Sequence, residues 1–352
     1  MKYIKMFENW LIYNLNLENF QCILEDWGEP RYRAEQIWQG LYIQLWDSSG
    51  KFTNIPISLR EKLGGQFVFG HLEPISILSS KDGFTSKTLF RLPDGAAIEA
   101  VLMEYDKRRT LCISTQAGCA MGCVFCATGQ MGLSRNLSSG EIVEQVLFYV
   151  RLLKERGEKV TNIVLMGMGE PFLNYDAVMS SIELLNHPEG LKIGSRRITI
   201  SSVGIIPAIE KFTNEEKQVN LAISLHATDN DLRSSMLPIN IKYPIDELIK
   251  VCRNYVKTTG RRITFEWALI QDLNDSPEQA DELGILLKGL NCHVNIIPLN
   301  PTKGYAGKKS ETIRVNEFKK KLDQHKIPCT IRVRRGLDIQ AGCGQLAYNI
   351  IK

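Results

Sequence analysis

Three closely spaced cysteines constrain this chain more than any other feature. Cys119, Cys123 and Cys126 follow the spacing C-x3-C-x2-C within eight residues. Thiolates this close repel one another unless a cation holds them, so the spacing indicates a metal site. A structural zinc site usually takes a fourth protein ligand, but the next cysteine, Cys252, has no paired ligand nearby. Three thiolates suit a [4Fe–4S] cluster with one open iron. Zinc and three reduced core cysteines remain alternatives on spacing alone.

From about residue 105 onward, the chain alternates between strand-like and helix-like segments. One helix is predicted by the capping box Ser138-Ser139-Gly140-Glu141, and another by Ser276 followed by Pro277. Strand–helix alternation predicts parallel strands joined by right-handed crossovers, so the fold class is α/β. Six such units predict an open, incomplete barrel. The predicted strands are 110–114, 162–166, 197–202, 220–225, 263–270, 293–299 and 330–333.

Polar motifs recur where these strands end. The cysteine loop follows the first strand, Gly167 to Pro171 follow the second, and Asn300 follows the sixth. The third strand ends in Ser201-Ser202, and the fourth in Ser224-Leu225-His226. Sites in parallel barrels gather at the carboxyl ends of the strands. Because the polar motifs all follow the carboxyl ends of their strands, we predict one functional site at that end of the barrel.

The first hundred residues follow a different pattern. Residues 1–65 are predicted as short helices, either an RNA-binding domain or a helical cap on the barrel, and the stretch 1–27 is amphipathic rather than signal-like. Residues 66–104 are predicted as a β-hairpin, with strands 88–92 and 97–103 around the turn Pro93-Asp94-Gly95. The barrel is then expected over 105–345, with a tail at 346–352.

Composition sets broader limits. A hydrophobic fraction of 44% is enough for a sizeable core, and no apolar run predicts a membrane span. Nine cysteines indicate a reducing compartment, so we expect a cytoplasmic protein. The net charge of +4 permits RNA binding without requiring it. Basic clusters such as Lys107-Arg108-Arg109 are candidate phosphate contacts.

Four motifs carry a family resemblance: FCATG at 125–129, RNL at 135–137, MGMGEP at 166–171 and CGQL at 343–346. Together they resemble the RlmN/Cfr family of radical S-adenosylmethionine (SAM) RNA adenine methyltransferases, over nearly the whole chain. The resemblance implies a partial (β/α)6 radical SAM barrel with a small N-terminal helical domain. It also implies one [4Fe–4S] cluster on Cys119, Cys123 and Cys126, whose open iron binds SAM, with Phe125 shielding the cluster.

The same resemblance implies a set of SAM-binding residues. Gly169 and Glu170 would meet the amino group of SAM, although a plain turn at the strand end is the simpler interpretation of that motif. His226 is assigned to binding rather than to acid–base catalysis. The full implied set is Gly169, Glu170, Ser201, Ser224, Leu225, His226 and Asn300.

Two further cysteines match the family's catalytic pair. The resemblance implies that Cys343 is methylated by one SAM and that a second SAM supplies the radical that activates this methyl group. The carbon then links Cys343 to adenine, the adduct loses an electron and a proton that Glu99 accepts, and Cys112 resolves the adduct by forming a disulfide. Adenine C2 is electron-poor and cannot attack SAM directly, which is why such a route is needed. Glu104 is a local competitor of Glu99, and the remaining cysteines (Cys22, Cys252, Cys292 and Cys329) are expected to be buried.

The predicted activity is methylation of C2 of an adenosine in the peptidyl-transferase loop of 23S rRNA, and of one beside the anticodon in tRNA. The implied partners are these RNAs, an electron donor and a disulfide reductant, with no membrane. Two alternatives stay open: methylation of C8 by a Cfr-type enzyme, and a non-catalytic iron–sulfur redox sensor or electron carrier. Residues 264–267 and 297–301 are closer to the RlmN side. Gln340-Ala341-Gly342 replaces the usual Asp-Ala-Ala, from which we expect a looser loop before Cys343.

Overall fold

The computed structural model describes residues 10–347. Residues 1–9 of the predicted amphipathic stretch and residues 348–352 of the predicted tail lie outside this range. Within it, no helix is both long and apolar enough to cross a membrane.

The N-terminal part is helical, as predicted. Helices α1 (Leu17–Asp26), α2 (Tyr32–Gln39) and α3 (Ile57–Gln66) are flanked by two short strands, β1 (Trp10–Leu11) and β2 (Phe67–Val68), which pair in parallel. The side chain of Asn16 caps α1 by accepting a hydrogen bond from the Asn19 amide at 2.8 Å. The buried faces of these helices share one hydrophobic core with the rest of the chain.

An antiparallel extension follows: β3 (Glu73–Ser79), β4 (Thr85–Arg91) and β5 (Ala97–Tyr105). The predicted turn at Pro93-Asp94-Gly95 joins β4 to β5, and Gly95 has a positive φ of 83°. The predicted hairpin is formed by β4 and β5, but β3 adds a third strand that was not predicted. Its side chains are mostly exposed on both faces, so it lacks the alternation by which a strand is recognised.

The cysteine loop has its own supersecondary unit after the first barrel strand, β6 (Arg108–Cys112). Strand β7 (Gln116–Cys119), helix α4 (Ala127–Met131) and strand β8 (Gly132–Asn136) form it, with β7 and β8 antiparallel. Gly118 has a φ of 80°, and a Cβ atom there would lie 2.0 Å from the carbonyl oxygen of Gly132. Only glycine permits this close approach between the backbones of β7 and β8.

The barrel continues through six more strands, all parallel, separated by helices. The strand order in the ten-stranded sheet is β14-β13-β12-β11-β10-β9-β6-β5-β4-β3, so the sheet is open and the extension lies at one end. The elements are α5 (Ser139–Glu155), β9 (Asn162–Leu165), α6 (Tyr175–Asn186), β10 (Ile198–Ser202), α7 (Ile206–Asn214), β11 (Asn220–Ser224), α8 (Asn230–Met236), α9 (Ile245–Thr259), β12 (Ile263–Leu269), α10 (Pro277–Leu286), β13 (Cys292–Pro298), α11 (Thr312–Gln324) and β14 (Cys329–Ile331).

The α/β class and the partial barrel are therefore confirmed. Each predicted barrel strand is present with its ends shifted by at most two residues. The capping box at Ser138 is formed, since its side chain accepts from the Glu141 amide and the Glu141 carboxylate accepts from the Ser138 amide. The strands are rich in Val, Ile and Leu because parallel sheets are covered on both faces.

Candidate active site

A cavity of about 150 Å³ opens at the carboxyl ends of the barrel strands. It brings together most of the residues that the sequence predicted, from six different strands and loops. These are Cys123, Phe125, Cys126, Gly169, Glu170, Ser201, Ser224, His226, Asn300 and Cys343. The convergence of residues so distant in sequence is what a ligand site at this end of the barrel requires.

Two of the three clustered cysteines, Cys123 and Cys126, line this cavity, and Cys119 begins the same loop. Cys119 ends β7 and is buried, Cys123 is buried in the following loop, and Cys126 is partly exposed just before α4. Burial raises the pKa of Cys119 to about 12 and also raises that of Cys123. Between residues 10 and 347, no three acidic, thiol or imidazole groups converge on a single ion. Three thiols on one loop are the donor set of a cluster in which each sulfur binds its own iron.

Glu170 offers a buried carboxylate to the cavity. It is 3% exposed, and burial raises its pKa to about 7. Its Oε1 accepts a hydrogen bond from the Phe172 amide at 3.1 Å, and its Oε2 from the Val203 amide at 2.9 Å. In the described part of the chain no lysine or arginine forms an ion pair with it, so a ligand ammonium can take that position. The adjacent Gly169 has a φ of 103°, and a Cβ there would lie 2.6 Å from Gln116.

His226 is a neutral, structurally fixed histidine that also lines the cavity. Its Nδ1 accepts a hydrogen bond from the Ala268 amide at 2.8 Å, so the ring proton sits on Nε2. Burial lowers its pKa to about 3. Phe125 contacts the imidazole edge-on at 5.1 Å between ring centroids. The neighbouring Leu225 has a fully buried side chain in the core and does not line the cavity. Its implied role as a SAM contact stays a prediction.

Cys343 and Cys112 meet in a second, smaller cavity of about 50 Å³. Cys343 lines both cavities, whereas Cys112 lines only the smaller one. Arg332 lies beside the pair, with Nη1 3.9 Å from the Cys343 sulfur and 3.7 Å from the Met166 sulfur. Burial raises the pKa of Cys112 to about 12, and the charge of Arg332 opposes this increase. Both cysteines are free thiols in this conformation.

The segment that carries Cys343 is held closely in place. Asn300 donates from Nδ2 to the Cys343 carbonyl at 3.1 Å and accepts from Arg334 Nε at 3.1 Å. The Gly344 carbonyl accepts from the Ala127 amide at 2.8 Å. A Cβ at Gly342 would lie 2.7 Å from Asn300 Nδ2. The expectation of a looser loop is therefore not met in this conformation, because the glycine allows a tighter approach to Asn300.

Glu99 does not line either cavity. Its buried carboxylate pairs with Lys87 Nζ at 2.8 Å through Oε1 and accepts from the Ala347 amide at 3.0 Å through Oε2. Burial raises its pKa. Its implied competitor, Glu104, pairs with Arg156 at 2.6 Å. Neither carboxylate is placed against the site in this conformation.

Comparisons with known proteins identify the family. Residues 113–283 match the model of the radical SAM superfamily, and residues 11–68 match that of the ribosomal RNA large subunit methyltransferase N-terminal domain. A probable dual-specificity RNA methyltransferase RlmN of Chloroflexus aurantiacus is 47% identical over 347 residues, covering 96% of this chain and 92% of that protein. The chain belongs to the RlmN family. Dual-specificity RNA methyltransferase RlmN 1 of Myxococcus xanthus is 46% identical over 339 residues, covering 96% of this chain and 94% of that protein.

A solved structure agrees with this assignment to the RlmN family. The crystal structure of a radical SAM methyltransferase from Sphaerobacter thermophilus has a TM-score of 0.94 and 49% identity, covering 96% of this chain and 99% of that one. The chain is thus a radical SAM RNA methyltransferase, and the family implies a [4Fe–4S] cluster and SAM. A zinc site and a non-catalytic redox carrier are the wrong interpretations.

Sequence reasoning missed two residues of the site. Glu266 is 3% exposed and lines the larger cavity, and its Oε2 has no hydrogen-bond partner within the described part of the chain. Arg332 Nη1 lies 3.8 Å from that oxygen. The carboxylate of Glu266 within the apolar strand β12 could have indicated a site residue, because burying an unpaired charge is costly. Cys252 and Cys292 are buried as predicted, and Cys329 is only partly buried. Cys22 is exposed on α1, so the prediction was wrong for that cysteine.

Proposed function

We propose that this protein methylates C2 of an adenosine in the peptidyl-transferase loop of 23S rRNA and of an adenosine beside the anticodon in tRNA. Cys343 carries the methyl carbon, and Cys112 releases the product. The dual-specificity names of the relatives support two RNA substrates. We also place the protein in the cytoplasm, together with these RNA substrates.

The position of Cys343 between the two cavities is the observation that carries this proposal. In the larger cavity Cys343 shares the walls with Cys126, Glu170 and His226. In the smaller one it shares them with Cys112. A sulfur that must first be methylated and later be attacked by a second thiol needs access to both places.

The residues present fit the groups that the family implies. Cys119, Cys123 and Cys126 would hold the cluster, and the cavity wall with Glu170 and Gly169 would hold SAM. The remaining implied contacts at the cavity are Ser201, Ser224, His226 and Asn300. When bound, the cluster and two SAM molecules per turnover supply the methyl group and the radical that activates it.

The chain's own residues perform the other steps. Arg332 stabilises the thiolate form of a neighbouring cysteine by its positive charge. Once the carbon links Cys343 to adenine, the Cys112 thiolate attacks the Cys343 sulfur. An S–S bond forms, the S–C bond breaks, and its electron pair stays with the carbon on the base, which takes up a proton to become the methyl group. The resulting disulfide is reduced by a cellular dithiol before the next turnover.

Glu99 remains the proposed proton acceptor. Both of its oxygens are engaged here by Lys87 and the Ala347 amide. We propose that it acts after the segment containing Ala347 has moved away, when one oxygen is free. Its raised pKa suits a base that must take a proton near neutral pH.

A labelling experiment tests the proposed function. Protein purified without oxygen is incubated with reductant, methyl-labelled SAM and an RNA fragment containing the target adenosine, and the nucleosides are analysed by mass spectrometry. We expect 2-methyladenosine, and no label when guanosine replaces the target. Label at C8 would contradict the C2 assignment, and a failure to form 5′-deoxyadenosine would contradict the radical mechanism altogether.

A further inference from the structure

Four side chains, two of which line the smaller cavity, alternate between aromatic rings and guanidinium groups. Arg335 Cζ lies 5.3 Å from the centroid of the Phe84 ring and 4.5 Å from that of Tyr105. Arg108 Cζ lies 4.4 Å from the Tyr105 centroid. We call Phe84, Arg335, Tyr105 and Arg108 the stacking ladder. These distances are within the range of cation–π contact.

The ladder is fixed in position but open to solvent at its ends. Phe84 is 53% exposed, and Arg108 is exposed. The Phe84 backbone is nevertheless held, because its amide donates to Asp82 Oδ1 at 3.0 Å and its carbonyl accepts from the Glu104 amide at 2.8 Å. The Phe84 ring is therefore presented to solvent from a fixed backbone.

One member of the ladder has an unused donor. Arg335 Nε is buried and has no hydrogen-bond partner among residues 10–347. Buried polar groups are nearly always satisfied, and those that are not call for an explanation. A guanidinium held between two rings keeps its edge available for a phosphate or a base oxygen.

The ladder is also continuous with the catalytic cysteines. Tyr105 and Arg335 line the smaller cavity together with Cys112 and Cys343. If the base of one nucleotide reaches the two thiols, the adjacent nucleotides of the same RNA strand must therefore lie close to Tyr105 and Arg335.

We propose that the stacking ladder binds the unpaired nucleotides that flank the target adenosine. Their bases stack on the exposed aromatic faces, and their phosphates contact Arg108 and Arg335. This inference rests on the proposed function, because it assumes an RNA substrate. Stacking on aromatic rings is tolerant of sequence, since every base has a flat face. The ladder therefore holds the strand without selecting the base.

Matched variants test the ladder in the full-length protein. Phe84→Ala and Phe84→Leu remove the flat ring, and Arg335→Gln removes the charge. The controls are Ile77→Ala, at a 52% exposed position of the same antiparallel extension, and Arg91→Gln, whose arginine pairs with Glu73 at 2.8 Å. Affinity for a fluorescent single-stranded RNA containing the target adenosine is measured by anisotropy. We expect the Phe84 variants to bind roughly five- to a hundred-fold more weakly and the controls to bind like wild type.

An abasic substitution in the RNA distinguishes stacking from a general structural effect. RNAs lacking the base on either side of the target should bind wild-type protein more weakly. For these abasic RNAs, the Phe84→Ala substitution should reduce the affinity little further. Phe84→Ala binding as tightly as Ile77→Ala would overturn the proposal, as would full additivity of the protein and RNA changes. If wild-type protein binds this RNA but never methylates it, the proposed function fails instead.

Discussion

The buried ion pair between Lys87 and Glu99 leads to a quantitative prediction. Replacing Lys87 by methionine keeps the length and apolar stem of the side chain and removes its charge. The Glu99 carboxylate then stays buried with only the Ala347 amide as a partner. The Gln340 carbonyl also loses its donor, Lys87 Nζ at 3.2 Å.

The structure sets the size of the effect. The two side chains are 7% and 5% exposed and their charged atoms are 2.8 Å apart, so the pair is a buried one. Removing one member of such a pair costs about 3–5 kcal/mol, whereas replacing both charges is close to neutral. Lys87→Met should therefore be strongly destabilised, and Lys87→Met/Glu99→Gln should be close to wild type. The exposed pair of Lys211 and Asp176 gives the control, for which Lys211→Met should cost about 0–1 kcal/mol.

The pH dependence has a defined sign. Burial raises the pKa of Glu99 in the folded state, so stability associated with this group is present below its unfolded pKa and is lost as the pH rises. The deficit of Lys87→Met should be smaller at pH 5 than at pH 8. Urea unfolding of the cluster-free protein measures the free energy, and hydrogen exchange over residues 335–347 reports local loosening. A deficit equal to that of Lys211→Met would refute the reasoning.

Three further predictions concern other parts of the molecule. Arg108→Gln should weaken RNA binding and lower the slope of log affinity against log salt concentration by about 1. Arg109→Gln should mainly lower the melting temperature, because Arg109 pairs with two glutamates at 2.8 and 3.2 Å. Equal RNA affinity of Arg108→Gln and wild type at all salt concentrations would contradict this. His226 is held neutral with a pKa of about 3, so stability should fall by about 1.4 kcal/mol per pH unit below pH 6.5. His226→Asn, which tolerates the positive φ of 62°, should flatten this slope in urea titrations, and an unchanged slope would count against it. Cys119→Ser should bind less iron than the about four irons per chain of reconstituted wild type; an iron content unchanged by colorimetric analysis would remove Cys119 from the ligand set.

The parts of the fold that were predictable from sequence depend on local signals. The capping box at Ser138 and the alternation of apolar strands with amphipathic helices are encoded within short windows. The polar motifs all follow the carboxyl ends of their strands, and this shared position then located the site. The unit around β7 and β8 was not predictable in the same way, because its strands are short and their pairing depends on the close contact at Gly118.

The remaining misses involve partners that are distant along the chain. A basic triplet predicts phosphate contacts, but the Glu158 carboxylate that engages Arg109 lies 49 residues away. Glu99 could be matched to a proton acceptor, yet the contact that covers it comes from Ala347, 248 residues later. Only the folded chain shows which charges are already paired and which are free for a ligand.

The central claim is that Cys343 carries the carbon and Cys112 releases it, and the variant Cys112→Ala tests this most directly. Without the second thiol, the sulfur–carbon link to the base cannot be broken. We therefore expect Cys112→Ala to form a covalent RNA adduct, which nuclease digestion and peptide mapping should locate on Cys343. Cys112→Ala/Cys343→Ala should form none, because the attachment atom is absent. Multiple turnover by Cys112→Ala, with free methylated RNA and no adduct, would contradict the account.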